Sequence, residues 1–138
     1  MRRVILVRHG ESELNARQRR ESVFCGQLET PLTDCGRRQA VEVGTRLARE
    51  TRYTMECAVI STLRWAQETL ELILSRLHTQ PARLPAMLDF NERSLGIFEG
   101  RTESDVLSEY PEYRDDPSLN RFRADFHQKA PGGESLPK

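Results

Sequence analysis

The stretch Arg3-Val4-Ile5-Leu6-Val7-Arg8-His9-Gly10-Glu11-Ser12 decides how this chain is read. Residues 3 to 8 form a short β-branched, apolar run, the pattern of a strand buried in a parallel sheet. The run stops at His9-Gly10, which puts an imidazole at a strand's C-terminal end, where open α/β sheets collect their ligands. Working outward, Pro31-Leu32-Thr33-Asp34 reads as a turn into a helix, with Thr33 as N-cap and Asp34 suited to the first turn. Ala40, Val43, Gly44, Leu47 and Ala48 then recur at helical spacing. Cys57-Ala58-Val59-Ile60-Ser61 is a second buried-strand candidate, and Ala66, Leu70, Ile73, Leu74 and Leu77 mark the amphipathic helix after it. Met87-Leu88 is a weaker strand candidate ending near Asp89. Strand, helix, strand, helix in this order predicts an α/β fold with a largely parallel sheet and right-handed crossovers.

Thr102 with Asp105 resembles a capping box in which Asp replaces the usual Glu or Gln, and it predicts a helix through Val106-Leu107. From Tyr110 to Lys129 the chain is polar with scattered aromatics (Tyr113, Phe122, Phe126), which reads as a helical lid or surface insertion and not as a core element. Pro131-Gly132-Gly133-Glu134-Ser135 is loop chemistry without P-loop spacing.

The length of 138 residues is that of one average domain. Lys+Arg and Asp+Glu both number 21, giving zero formal net charge. A neutral chain has no global electrostatic reason to bind nucleic acid or an anionic bilayer, so a small solute is the expected partner. Three arginines at 17, 19 and 20 make a local basic cluster, but it lacks the aromatic stacking pattern of a nucleic-acid surface. No apolar run approaches the roughly 18 residues of a membrane span, and no signal-peptide segment opens the chain, so a cytoplasmic location is expected. Cys25, Cys35 and Cys57 are odd in number and lack metal-like spacing with His9, His78 or His127. Reduced thiols and no metal follow, and no cofactor is called for.

Five ordered blocks resemble the histidine phosphatase superfamily, the phosphoglycerate mutase-like proteins. Arg8-His9-Gly10-Glu11-Ser12 matches its R-H-G-E-[ST] signature, with Asn15 three positions on. Gly26-Gln27, Pro31-Leu32-Thr33, Gly36 and Gln39-Ala40 are similar to its G-x-x-x-x-P-L-T-x-x-G-x-x-Q-A stretch. Ser61-Thr62-Leu63-Arg64, with Ala66 and Thr69, is similar to S-x-L-x-R-[AC]-x-x-T when Arg64 is taken as the motif's arginine and Trp65 as an insertion that sets Ala66 one place late. Glu92, Gly96 and Glu99-Gly100 fit E-x-x-x-G-x-x-E-G, and Pro131 to Ser135 match P-G-G-E-[ST]. The fold this resemblance implies is a three-layer α/β sandwich with a mostly parallel central sheet, one domain over 1–138 with the lid-like helical insertion around 102–130 and the C-terminal part of the fold missing.

The implied chemistry is phosphomonoester hydrolysis through a phosphohistidine, on a small phosphorylated metabolite. A phosphomonoester brings about two negative charges, and the planar forks of Arg8 and Arg64 suit its nonbridging oxygens. Their field disfavours imidazolium and keeps His9 in its nucleophilic, neutral form. The leaving alkoxide needs an acid, and Glu92 stands at the family's proton-donor position. Asn15 reads either as a phosphate contact or as the end of a helical turn. Gly26 and Gln27 line the substrate side. Glu11 and Glu99 read as structural partners. The bland alternatives are a solvated Arg64 and a surface ion pair within Asn91-Glu92-Arg93.

Three departures shape the expectation. The stretch between Asn15 and Gly26 is longer than in the family. It reads either as a solvated basic loop or as a loop in which Arg17, Arg19 and Arg20 recognise a second anionic group on the substrate. The family's adjacent Arg-Arg pair of mutases is absent, since Phe122 separates Arg121 and Arg123, which favours hydrolysis over mutase-type transfer. The family's second catalytic histidine, in a V-x-H-G context, has no counterpart at His78 or His127. A family domain should run to roughly 200 residues, so weak or absent turnover, or a truncated non-catalytic module that binds a phosphorylated ligand, stands as the alternative. Monomer and homo-oligomer are both compatible with the sequence.

Overall fold

A computed structural model describes residues 3–50, 54–116, 119, 122 and 127–135. The chain divides into two compact units, residues 1–13 with 29–90, and residues 14–28 with 91–138. Residues 14–28 thus group with the C-terminal part of the chain.

In the first unit, α2 (Asp34–Arg49) starts where the turn chemistry predicts, and the Thr33 hydroxyl accepts the Gly36 N–H at 3.0 Å. It packs against α3 (Arg64–Leu74). The buried stripe of α3 is Trp65, Thr69, Ile73 and Leu74, so Ile73 and Leu74 of the predicted face are buried, whereas Ala66, Leu70 and Leu77 are half-buried and Trp65 and Thr69 complete the stripe at a spacing of four. Parallel pairing joins β1 (Cys57–Ala58) to β2 (Ala82–Arg83), with Cys57 opposite Ala82. Further bonds carry the pairing on, with Leu84 N–H donating to Ala58 O and Met87 N–H to Ile60 O at 3.0 and 2.9 Å. The predicted second strand is therefore present, but Met87 gives way to a 3-10 turn, Leu88–Phe90.

Residues 3–8 depart from expectation. They carry no strand assignment, and their side chains are exposed. Exposure alternates from 82 % at Val4 and 92 % at Leu6 to 49 % at Ile5 and 43 % at Val7. The period of two is that of an extended segment with one sheltered face. Among the described residues no ladder includes positions 4–8, and the apolar pattern is not turned into burial.

The second unit contains α1 from Leu14 onward (α1, Glu13–Glu21) and α4 (Glu103–Glu109). The Thr102–Asp105 capping box forms in both directions: Thr102 N–H donates to Asp105 Oδ2 at 2.9 Å, and Asp105 N–H to Thr102 Oγ1 at 3.1 Å. The core is Phe24, Leu95, Phe98, Val106, Leu119, Phe122 and Ala130. Phe98 is its hub, with ring centroids of Phe24, Tyr113 and Phe122 at 5.5, 5.4 and 5.8 Å. The sequence places this stretch outside the core, whereas Leu119 and Phe122 are buried in it and Tyr110 and Tyr113 pack against it, brought together by ring packing and not by any helical period. The remaining lid positions, 117, 118, 120, 121 and 123–126, lie outside the described residues. Gly96 has φ +55°, and a Cβ there would meet Pro131 O at 2.2 Å, so only glycine lets the Pro-Gly-Gly turn close on this loop.

Candidate active site

His9 is fixed by its surroundings in the first unit. Its Nδ1 lies 2.7 Å from the Gly10 carbonyl oxygen. A carbonyl only accepts, so Nδ1 carries the proton and Nε2 keeps the lone pair. The Gly10 N–H donates to Thr69 Oγ1 at 3.0 Å, and that hydroxyl in turn donates to Trp65 O at 2.7 Å. Gly10 and Gly36 pass so closely that a Cβ on Gly10 would stand 2.3 Å from Gly36 O.

The following residues are strapped as firmly. Glu11 N–H donates to Gln39 Oε1 at 2.9 Å, and the Thr33 hydroxyl donates to Glu11 Oε1 at 2.8 Å. Glu13 N–H reaches Pro31 O at 3.0 Å, and Ser12 bridges Leu32. Glu68 of α3 then holds the Leu32 N–H and the Arg37 guanidinium at 3.0 and 2.6 Å. The Glu11 carboxylate thus holds the Thr33 hydroxyl at the start of α2.

A cavity of about 210 Å³ opens at His9, between Val7 and Arg8, Gln39 and Val43 of α2, and Thr69 of α3. Burial pushes the imidazole below its ordinary pKa of 6.5, the Gly10 carbonyl opposes this, and the Arg8 charge adds to the depression. His9 is accordingly neutral near pH 7. Arg8 is exposed beside it. Arg64, the first residue of α3, is exposed, whereas the α3 side chain against His9 is Trp65, with ring centroids 5.9 Å apart at 57°. The sequence motif contains Thr69 and reads Trp65 as an insertion, but neither is expected in the site. His78 and His127 are both exposed.

In the second unit, Glu92 is exposed, and its carbonyl accepts from Gln27 Nε2 at 2.8 Å. Gln27 also donates to Glu134 Oε2 at 3.1 Å, and the same carboxylate oxygen accepts the Ser94 N–H at 2.9 Å. Gln27 therefore sets the backbone that carries Glu92. Arg93 bonds the carbonyls of Phe122 and Gln128. Gly26 is buried against Glu99, whose Oε1 accepts from the Ser94 hydroxyl and the Leu95 N–H, both at 2.8 Å.

The basic stretch after Asn15 is helical, not a loop, and its arginines differ in role. Arg17 donates to Glu21 at 2.7 Å and to Gly100 O at 3.1 Å, while Arg19 and Arg20 are exposed in the last turn of α1, where cations complement the helix dipole. Asn15 is half-buried on α1. Among the described residues no group of three or more His, Cys, Asp or Glu could hold a metal, and no helix is long and apolar enough to cross a membrane.

The arrangement in the first unit is thus a neutral histidine held by its own following carbonyl, beside an arginine and at the mouth of a cavity. The chain belongs to the histidine phosphatase superfamily (branch 1), whose family model matches residues 4–138. It is 36 % identical over 112 residues to a 2,3-bisphosphoglycerate-dependent phosphoglycerate mutase of Borreliella burgdorferi, covering 81 % of this chain and 43 % of the relative. Among solved structures it is similar to the alpha-ribazole phosphatase of Shigella flexneri, with TM-score 0.67, 26 % identity, and coverage of 94 % of this chain and 57 % of that one. It is likewise similar to a mycobacterial glucosyl-3-phosphoglycerate phosphatase, with TM-score 0.67, 28 % identity, and coverage of 92 % and 54 %. The fold is the phosphoglycerate mutase-like α/β fold, here with a small parallel sheet. The chain spans about half the length of the relatives it matches.

Proposed function

We propose that this chain carries the phosphoryl-accepting half of a phosphomonoester hydrolase, acting on a small phosphorylated metabolite through a phosphohistidine at His9. The observation that carries the reading is the Nδ1 to Gly10 carbonyl bond, which leaves Nε2 of a neutral, half-buried ring as the nucleophile beside Arg8. In the first step Nε2 forms a bond to phosphorus, the ester P–O bond breaks, and the leaving alkoxide takes a proton from a carboxylic acid, the role that the family resemblance gives to Glu92. In the second step water attacks phosphorus, its proton returns to that carboxylate, and the N–P electron pair goes back to Nε2 as orthophosphate leaves. Hydrolysis rather than transfer to a second hydroxyl is supported by the phosphatase neighbours and by the interrupted Arg121-Phe122-Arg123 sequence, which lies mostly outside the described residues.

The second reading, a module that binds a phosphorylated ligand without turnover, is favoured by one observation, the exposure of Arg64. Incubation with a labelled phosphomonoester separates the two. The hydrolase reading expects an acid-labile label on His9, absent from His9→Gln, with release of inorganic phosphate; saturable binding with neither label nor release supports the module.

A further inference from the structure

The exposure of Arg64 has a structural origin in the register of α3. The helix runs unbroken from Arg64 to Leu74, and Thr69 is locked by the Gly10 N–H. A regular helix leaves no place for an inserted residue between positions 64 and 69. Counted from Ser61 without a gap, S-x-L-x-R-[AC]-x-x-T keeps Leu63, Ala66 and Thr69 in register and puts Trp65 where the motif has its arginine. Burial agrees with this count: Trp65 is 3 % exposed and lies against His9, one turn before Thr69 on the same face, while Arg64 points to solvent.

We infer that Trp65 is the positioning residue of His9, its indole excluding water from the imidazole and setting its tilt, and that it occupies the place from which a second guanidinium would grip the phosphoryl group. The first half stands on packing alone; the second rests on the phosphoryl chemistry proposed for His9. Among the described residues that line the cavity Arg8 is the cationic one, and the side chains facing the site from α2 and α3, Gln39, Thr69 and Trp65, are uncharged. The described residues therefore offer an anion one neighbouring arginine in place of a two-sided clamp.

The test follows the His9 ring by NMR, assigned with His9→Gln, through a pH titration of the whole chain with and without inorganic phosphate. Trp65→Phe, which keeps an aromatic ring, retains the lowered His9 midpoint; Trp65→Leu moves it up toward the ordinary imidazole value. Trp65→Arg restores the clamp and tightens inorganic phosphate binding by about ten- to a hundred-fold, the effect of one hydrogen bond to a charged group. Because a buried arginine strains the Leu32–Leu63–Trp65 cluster, Trp65→Gln, a smaller neutral donor, is measured beside it and also binds phosphate more tightly than the parent. A His9 midpoint equal in the parent and a folded Trp65→Leu overturns the positioning role. Phosphate binding unchanged or weaker in both polar variants overturns the vacated clamp. A midpoint that follows the ring at position 65, with no label ever formed on His9, supports the inference and refutes phosphoryl transfer.

Discussion

Replacing Thr69 by valine probes the bond that fixes the His9 segment. Valine has nearly the volume of threonine, and the site is 4 % exposed, so the change removes a hydroxyl without opening a cavity. Two bonds go. The one to Trp65 O costs little, because that carbonyl also accepts the ordinary helical i→i−4 bond. The other leaves the buried Gly10 N–H without its hydroxyl acceptor, with Gly36 closing one side of it. An orphaned buried donor costs about 1–3 kcal/mol, which for a chain of this size is a fall in Tm of roughly 3–12 °C. Urea unfolding followed by Trp65 emission, the single tryptophan of the chain, measures it. Thr69→Ser, which keeps the hydroxyl, recovers most of the bond while losing a methyl group. Hydrogen exchange at Gly10 should accelerate in Thr69→Val and not in Thr69→Ser. A Thr69→Val protein as stable as the parent, with Gly10 exchange unchanged, would refute the strap.

Other perturbations have equally definite outcomes. Because the folded His9 pKa lies below its unfolded value, the unfolded chain binds more protons, and stability falls as pH drops from about 6.5 through the lowered folded value; His9→Gln flattens this window in pH-dependent urea melts, and an unchanged slope contradicts the buried neutral ring. Phe98→Ala empties the hub of the aromatic cluster and costs about 3–5 kcal/mol, whereas a cost under about 1 kcal/mol in equilibrium unfolding would return residues 110–122 to the status of a lid. Leu6→Thr, at a side chain 92 % exposed, changes stability by less than about 0.5 kcal/mol and lowers binding of an apolar dye; a large destabilisation would mean that the segment is buried.

Local chemistry was legible where it depends on near neighbours. Thr33 and the Thr102–Asp105 pair read as caps because a cap needs only residues within one turn, and both form. His9 read as a candidate site residue from its motif, although the strand expected before it is not formed. Burial was not legible in the same way. Val4 and Leu6 are apolar enough for a sheet interior, but burial depends on what covers them, which no local pattern contains. Phe98, Tyr110, Tyr113 and Phe122 have no helical or strand period, so their convergence was invisible until the backbone brought the rings within 6.0 Å of Phe98. Arg64 was chosen over Trp65 by residue type, since cations suit phosphate, and only the helix register set by Thr69 shows which of the two faces His9.

Phosphoryl transfer at His9 is tested most directly by the position of the phosphorus–nitrogen bond. After brief incubation with a phosphomonoester and alkaline digestion, phosphorus NMR distinguishes the two phosphohistidine isomers. With Nδ1 committed to the Gly10 carbonyl, the Nε2 isomer is expected, and the signal disappears in His9→Gln. The Nδ1 isomer, or no adduct at His9 under conditions where phosphate is released, would contradict it.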